Sequence, residues 1–415
     1  MLTFSFLWSI HQVRNFLLKA ALIYGITFVI VLPLLCRNLP YSKYFSSPID
    51  IHKKVYEYNQ RRIKQADDYL SKIGMENVRR RVPPKAARLQ LAIGVVSVER
   101  QKKKSKTVGT QYLTQVMARL HESIWTHGVQ DKMFMFICNV EKNGVKHKEA
   151  DYLSKYFHVR RFPRNRTRHE KMSKEREKEN YAFCLESAAT FKADYVLLLQ
   201  DDALPHSNFY EVLDYLLKNK LERKTLRGQY THGENDWVWM KLNFPDNLAD
   251  FHRSPYFAYE WIALSLTGAS VISLIYHLTT GHETFPTKSR KLALVLNIVF
   301  ILSFCYFFLA FWLIGRPYFL RLHGLSKHFT KLTPGTSCCL PAVVFPRIQV
   351  QGLVDYLNTI RCTPILPLDF ALDAYREKTK LKQYLAVPNL FSHIGYFSAL
   401  HQGVNSRDAY AFLIE

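Results

Sequence analysis

Residues 196–202 read VLLLQDD, an apolar run closed by two adjacent carboxylates. A short continuous apolar stretch reads as a buried strand, and the polar residues at its end stand where strand gives way to loop. In open α/β sheets, ligands bind beyond the carboxyl ends of the strands. Two hard oxygen ligands at that point, Asp201 and Asp202, can hold a Mn2+ or Mg2+ ion against a diphosphate. The same residues also read as a solvated acidic loop, and the surrounding sequence must decide between the two.

Upstream, LAIGVVSV within 89–100 reads as a strand ending in Glu99 and Arg100. Leu113, Val116, Met117 and Leu120 recur at helical spacing over 110–125, and MFMFICNV at 133–140 reads as another strand. A long helix over Lys174–Phe191, charged at first and then apolar at Phe183, Cys184 and Leu185, leads into the strand that precedes Asp201. Such alternation predicts an α/β fold with a mainly parallel sheet flanked by helices. Arg100 can contact a diphosphate or uridine there, or be an ordinary surface arginine.

Downstream, a helix over Phe209–Asn219 is followed by NDWVWMKL at 235–242. Trp237 and Trp239 alternate as on a strand with one aromatic face, suited equally to stacking on a sugar or filling a core. CCLPAVVF at 338–345 reads as a strand and Val350–Thr359 as a helix. Asp369, in PLDFAL, opens a further helix; it suits an N-cap or a general base that deprotonates an acceptor hydroxyl. Glu234 and Asp236, on the aromatic stretch, are rival bases. His393, in VPNLFSHIG at 387–395, is either a structural histidine or a third ligand beside the two aspartates.

Three apolar segments, 16–36, 257–278 and 292–315, each have the length of roughly 20 residues that crosses a hydrocarbon core of about 30 Å. The second and third form a hairpin, so the flanking regions face one compartment and can build a single split domain. The expected organisation is a cytosolic tail at 1–15, an anchor at 16–36 and a basic stem at 37–88. The first half of the domain then occupies 89–256, the hairpin 257–278 and 292–315 with a cytosolic loop at 279–291, and the second half 316–415. Lys288, Arg290 and Lys291 favour a cytosolic hairpin loop. Lys43, Lys53 and Lys54 point the other way, but long translocated domains follow the charge rule poorly. The sequon Asn165-Arg166-Thr167 agrees with a lumenal glycoprotein. Beyond Lys19 and Glu260, both near span ends, the segments carry almost no charge, which disfavours a channel or transporter.

The formal net charge is +23, with much of the excess between Arg37 and Lys106, including Arg79–Arg81 and Lys102–Lys104. No nucleic-acid-binding motif accompanies it, so a membrane surface or a phosphate-bearing substrate is the expected partner, and nucleic acid is not. None of the seven cysteines forms a CxxC pair, which argues against structural zinc. Setting aside Cys36 and Cys305, in or beside the apolar segments, leaves five, enough for two disulfides and one free thiol.

In order, VLLLQDDA, PLDFAL and VPNLFSHIG resemble the motifs of metal-dependent glycosyltransferases of the GT-A fold. The anchor and the hairpin within the domain look like the family of Golgi transferases that add an N-acetylgalactosamine (GalNAc) side chain to glycosylphosphatidylinositol (GPI) anchors. LAIGVVSVER, EKENYAFCLESA and NLFSHIG are also similar to N-glycan-branching N-acetylglucosaminyltransferases, which lack the hairpin. The resemblance covers roughly 89–256 and 333–400. It implies a GT-A-like, membrane-embedded, multi-pass Golgi enzyme with a lumenal catalytic domain. It further implies inverting transfer from UDP-GalNAc to a mannose of the GPI glycan, assisted by a divalent metal such as Mn2+. Under it Asp202 is the direct metal ligand, supported by Asp201, and His393 completes the metal site. Asp369 is the base, with Asp236 its rival, and Arg100, Gln200 and Asp201 contact the donor. The family's motif usually begins with Glu where this chain has Gln200, which keeps hydrogen-bonding capacity but adds no charge. The alternatives are an N-acetylglucosaminyltransferase acting on N-glycans and a membrane-bound glycan-binding protein whose site has decayed.

Overall fold

The computed structural model describes residues 14, 17–46, 51–77, 89–99, 110–141, 146–163, 173–224, 230–232, 236–280, 289–398 and 403–404. Arg100, Glu234, Asn165 and Lys288 lie outside them. The chain divides into two units, each drawn from two stretches of sequence: residues 1–49 with 246–321, and residues 50–245 with 322–415.

The larger unit begins with α1 (Ile51–Asn77), β1 (Leu91–Ser97), α2 (Tyr112–Thr126), β2 (Met133–Asn139), α3 (Lys148–Leu153) and β3 (His158–Arg161). It continues through α4 (Ser173–Ala189), β4 (Tyr195–Gln200), β5 (Ala203–Pro205), α5 (Phe209–Leu216) and β6 (Trp237–Lys241). Its second stretch supplies β7 (Lys331–Pro334), β8 (Ala342–Pro346), α6 (Arg347–Thr359), α7 (Leu368–Thr379), β9 (Lys382–Val387) and β10 (Phe391–His393). Eight of the strands form one sheet in the order β3-β2-β1-β4-β8-β6-β9-β7. β3, β2, β1 and β4 are parallel neighbours, as are β6 and β9, while β8 and β7 run antiparallel to the strands beside them.

This topology has a simple cause. β1, β2 and β4 are apolar and buried on both faces, as strands covered by helices must be. One face packs on Leu113, Val116, Met117 and Leu120 of α2, the other on Ala182, Cys184 and Leu185 of α4. β8 pairs antiparallel with β4, so the second stretch of sequence enters the middle of the sheet rather than its edge. Two crossings, β4 to β8 and β8 to β6, restore the original direction, and the carboxyl ends of β1, β4 and β6 share one edge.

The tryptophan strand differs from its expected form. Pairing between β6 and β9 shifts by one residue between Lys382 and Gln383, which lie opposite Trp237 and Trp239. That bulge sends Trp237 and Trp239 into the cores on opposite faces of the sheet, 4% and 1% exposed. Trp237 stacks near Tyr195, and Trp239 Nε1 donates to Gln383 Oε1 at 2.9 Å. Neither ring is available to a sugar.

The smaller unit holds three helices long and apolar enough to cross a bilayer, Leu17–Cys36, Pro255–Thr279 and Ala293–Ile314. The two hairpin helices meet closely: Trp261 stacks on Phe308 with ring centroids 3.7 Å apart, and Gly268 leaves room for Phe307. The N-terminal helix packs on the second of them through Tyr24 and Tyr306, and Tyr306 Oη donates to Thr27 Oγ1 at 3.2 Å.

Two disulfides form, Cys138–Cys184 and Cys338–Cys339, while Cys36, Cys305 and Cys362 remain thiols. Cys138–Cys184 ties β2 to α4 across 46 residues. A closed loop of that size stabilises a fold by about 2–4 kcal/mol. Replacing Cys138 and Cys184 together by serine is expected to lower the urea midpoint by that equivalent; an unchanged midpoint would show that the bridge contributes nothing.

Candidate functional site

At the carboxyl end of β4 the chain turns through Asp201 and Asp202 before entering β5. Both aspartates are buried, 6% exposed each. Their side chains make different contacts. Asp201 reaches toward β1, where Ser97 Oγ donates to its Oδ2 at 2.9 Å. Asp202 faces the second stretch of sequence, its Oδ2 3.4 Å from His393 Nε2. Gln200 is the last residue of β4 and half-buried, its backbone N–H donating to Pro341 O at 2.8 Å.

His393 arrives there by strand pairing. β10 lies antiparallel on β5 with His393 opposite Ala203, directly after Asp202. Ile394 N then donates to Asp202 O at 2.8 Å. The approach to β10 is strapped to the exit of β6. Asn389 exchanges two hydrogen bonds with the Phe244 backbone at 2.9 and 2.8 Å, and Asn243 Nδ2 donates to Phe391 O at 2.7 Å. Phe391, fully buried, packs on Phe209.

Gly395 completes the geometry. A Cβ built on it would lie 2.0 Å from Asp202 Oδ2 and 3.0 Å from His393 Nε2. The Asp202 carboxylate thus takes the place that a side chain at residue 395 would need, so its approach to His393 requires glycine there. One carboxylate oxygen and one imidazole nitrogen 3.4 Å apart suit Mn2+ or Mg2+, which complete their coordination with water and substrate phosphates. Asp201 does not join them, being turned to β1. Among the described residues no three His, Cys, Asp or Glu side chains converge on one point. Of the three residues expected as metal ligands, Asp202 and His393 lie side by side, while the Asp201 contact seen is to Ser97.

Asp369 occupies the first turn of α7, half-buried; Pro367 holds the N-cap position, so the capping role expected of Asp369 is not realised. The turn before α7 is anchored from α4, where Glu175 Oε2 accepts from Cys362 N at 2.6 Å and Lys178 Nζ donates to Ile360 O at 2.8 Å. Nearby, Lys241 ends β6, 2% exposed, its ammonium donating to Thr336 O at 2.5 Å and Cys338 O at 2.7 Å. Burial pushes this lysine down to about 8, while the carboxylates Asp373 and Asp369 pull the other way. Asp369 is thus within electrostatic reach of the carboxyl end of β6. Asp236 is not: it precedes the first residue of β6, at the other end of the strand, half-exposed and paired with Lys382 at 2.8 Å. The aromatic stretch on which it was read as a rival is a strand, and the strand separates Asp236 from the carboxyl end.

Three residues at this edge escaped the sequence reading as site residues: Ser97, His147 and Lys241. Ser97 and Lys241 end apolar strands, a signal that was present. His147 sits before a short helix with no periodicity to mark it.

A family model described as GPI-N-acetylgalactosamine transferase PGAP4 matches residues 91–392. The match starts at the first residue of β1, contains the hairpin, Asp201, Asp202 and Asp369, and ends one residue before His393.

Lys241 makes stability depend on pH. Between about 8 and the ordinary lysine value of 10.5, the unfolded chain keeps a proton that the folded chain has released. Stability therefore rises with pH through that window. In Lys241→Met, melting temperatures followed from pH 8 to 10 are expected to lose this rise; an identical slope in both proteins would refute the assignment.

Proposed function

The chain belongs to the GPI-N-acetylgalactosamine transferase family, and on that premise we propose the reaction and the residues that carry it. It is a glycosyltransferase that moves GalNAc from UDP-GalNAc to a mannose of the GPI glycan, with inversion at the anomeric carbon. The observation that supports this most directly is the Asp202–His393 pair, packed against Gly395 at the edge where an α/β sheet binds its ligand.

In this reading Asp202 and His393 hold a divalent cation, Mn2+ by preference. Bound there, it supplies positive charge against the departing diphosphate. Asp201 and Gln200 bind the donor at the end of β4, and Arg100, just beyond β1, is a further donor contact. Asp369 accepts the proton of the attacking mannose hydroxyl as the new glycosidic bond forms and the bond to UDP breaks. Its position in the first turn of a helix anchored through Glu175 and Lys178 favours a fixed base over a mobile one. Asp236 has no part in the reaction.

The domain faces the Golgi lumen in this reading, consistent with the paired spans and the sequon at Asn165. Three spans tether the catalytic unit to the bilayer that also anchors its acceptor, which raises the effective concentration of each for the other.

Full-length protein in detergent, given UDP-GalNAc, Mn2+ and a GPI glycan, is expected to transfer GalNAc. Asp202→Ala and Gly395→Ala should each reduce that rate by about 100-fold or more, and Asp236→Ala should leave it within about twofold of wild type. Retained transfer in Asp202→Ala would sink the metal-assisted mechanism. Mass spectrometry of GPI glycans from cells lacking the protein checks the acceptor: loss of side-chain HexNAc is expected, and an unchanged profile would exclude it.

A further inference from the structure

Behind Asp201 lies a chain of buried polar groups that the mechanism does not use. Ser97 Oγ donates to Asp201 Oδ2 at 2.9 Å and lies 2.8 Å from His147 Nε2. Ser97 and His147 are each 1% exposed. A serine hydroxyl has one proton, and Asp201 takes it, so His147 Nε2 must carry the hydrogen that it shares with Ser97. The other ring nitrogen, Nδ1, is then left with a lone pair and accepts from Ala150 N at 3.3 Å, capping α3, so it has no hydrogen for Glu99 Oε2, 3.1 Å away. Glu99 Oε2 accepts from Lys148 N at 3.0 Å instead.

We propose that Ser97 and His147 are positioning residues that fix the Asp201 carboxylate for accepting hydrogen bonds from the donor's hydroxyl groups. The proposal rests on the donor-binding role given to Asp201 above. Capping α3 alone would need only a serine, aspartate or asparagine at position 147. The imidazole does more, because its second nitrogen crosses from the loop after β2 to the last residue of β1. From there the hydroxyl passes the constraint to the turn after β4. These contacts tie the carboxylate to the backbones of β1 and α3 as well as to its own. A carboxylate fixed in this way need not reorganise when the donor arrives.

Calorimetry with UDP as the probe, in Mn2+, on full-length protein in detergent tests this without turnover. Ser97→Ala is expected to weaken UDP binding about tenfold, the usual scale for partners of a ligand-binding side chain. Asp201→Asn should weaken it at least as much, and the double variant should be no worse than Asp201→Asn alone within about twofold, because Ser97 acts through Asp201. His147→Gln, whose amide can donate to Ser97, should restore most of the affinity lost in His147→Ala. Melting curves on the same samples report folding; if Ser97→Ala does not fold, His147→Gln, His147→Ala and Asp201→Asn complete the same cycle. Penalties that multiply in the double variant, or Ser97→Ala with wild-type affinity, would overturn the positioning role while leaving UDP binding intact. Wild-type protein that binds no UDP would instead remove the donor reading, and the positioning role with it.

Discussion

Two buried carboxylates stand next to each other in the turn that closes a buried strand, and each must find its own compensation in a setting poor in water. The rest of the site follows from how this chain meets that constraint. Asp201 turns to the hydroxyl of Ser97 on β1, and Asp202 turns to His393 on β10. One partner comes from before the membrane hairpin and the other from after it. Both sets of contacts to the carboxylate pair therefore form only when both halves of the split sheet are in place.

Several features hold the second half where Asp202 needs it. β8 inserts between β4 and β6, so the sheet cannot close without it. β10 then pairs with β5, which fixes His393 opposite Ala203 by register rather than by loop conformation. A one-residue slip would turn His393 to the other face of that short pair. The reciprocal bonds between Asn389 and Phe244 and the burial of Phe391 oppose such a slip. The absence of a side chain at Gly395 matters because a methyl group there would have to displace the Asp202 carboxylate, 2.0 Å from its place, and with it the approach to His393.

Much of the fold was legible in the sequence because its strands are short apolar runs and its helices carry clear periodicity. β1, β2, β4, α2 and α4 sit within a few residues of their expected places. The tryptophan strand was misread because a bulge is a property of pairing, and the partner strand β9 lies some 140 residues away in the chain. Asp202 and His393 were legible as a pair of candidates, but their approach depends on β5 and β10, each only three residues long and without a pattern of its own. His147 was invisible for a similar reason. A histidine ahead of a helix looks like any loop residue until the neighbouring strand brings Ser97 to its ring. For Asp236 the reverse holds: it neighbours the aromatic residues in sequence, but β6 places it at the end of the strand away from Asp201 and Asp202.

The insertion itself poses a closure problem, because a domain can be split only where the chain leaves and returns at neighbouring points. Within the membrane unit one arginine meets that requirement. Arg316, 2% exposed, lies just beyond the second hairpin helix, and Glu260 lies in the first turns of the first. Nε and Nη2 of Arg316 donate to Glu260 Oε2 at 2.8 and 2.7 Å, Nη1 donates to Ala249 O at 2.8 Å, and the guanidinium stacks 3.7 Å from the Phe257 ring. A planar fork with several fixed donors can bind a carboxylate, a backbone carbonyl and an aromatic face at once, which an ammonium cannot. With both ends of the hairpin held at one point, the residues between them add little to the entropy of closing the interrupted domain. That entropy grows only with the logarithm of loop length. Glu260, read from sequence as an interfacial charge near a span end, is thus the partner that brings the insertion's two ends together.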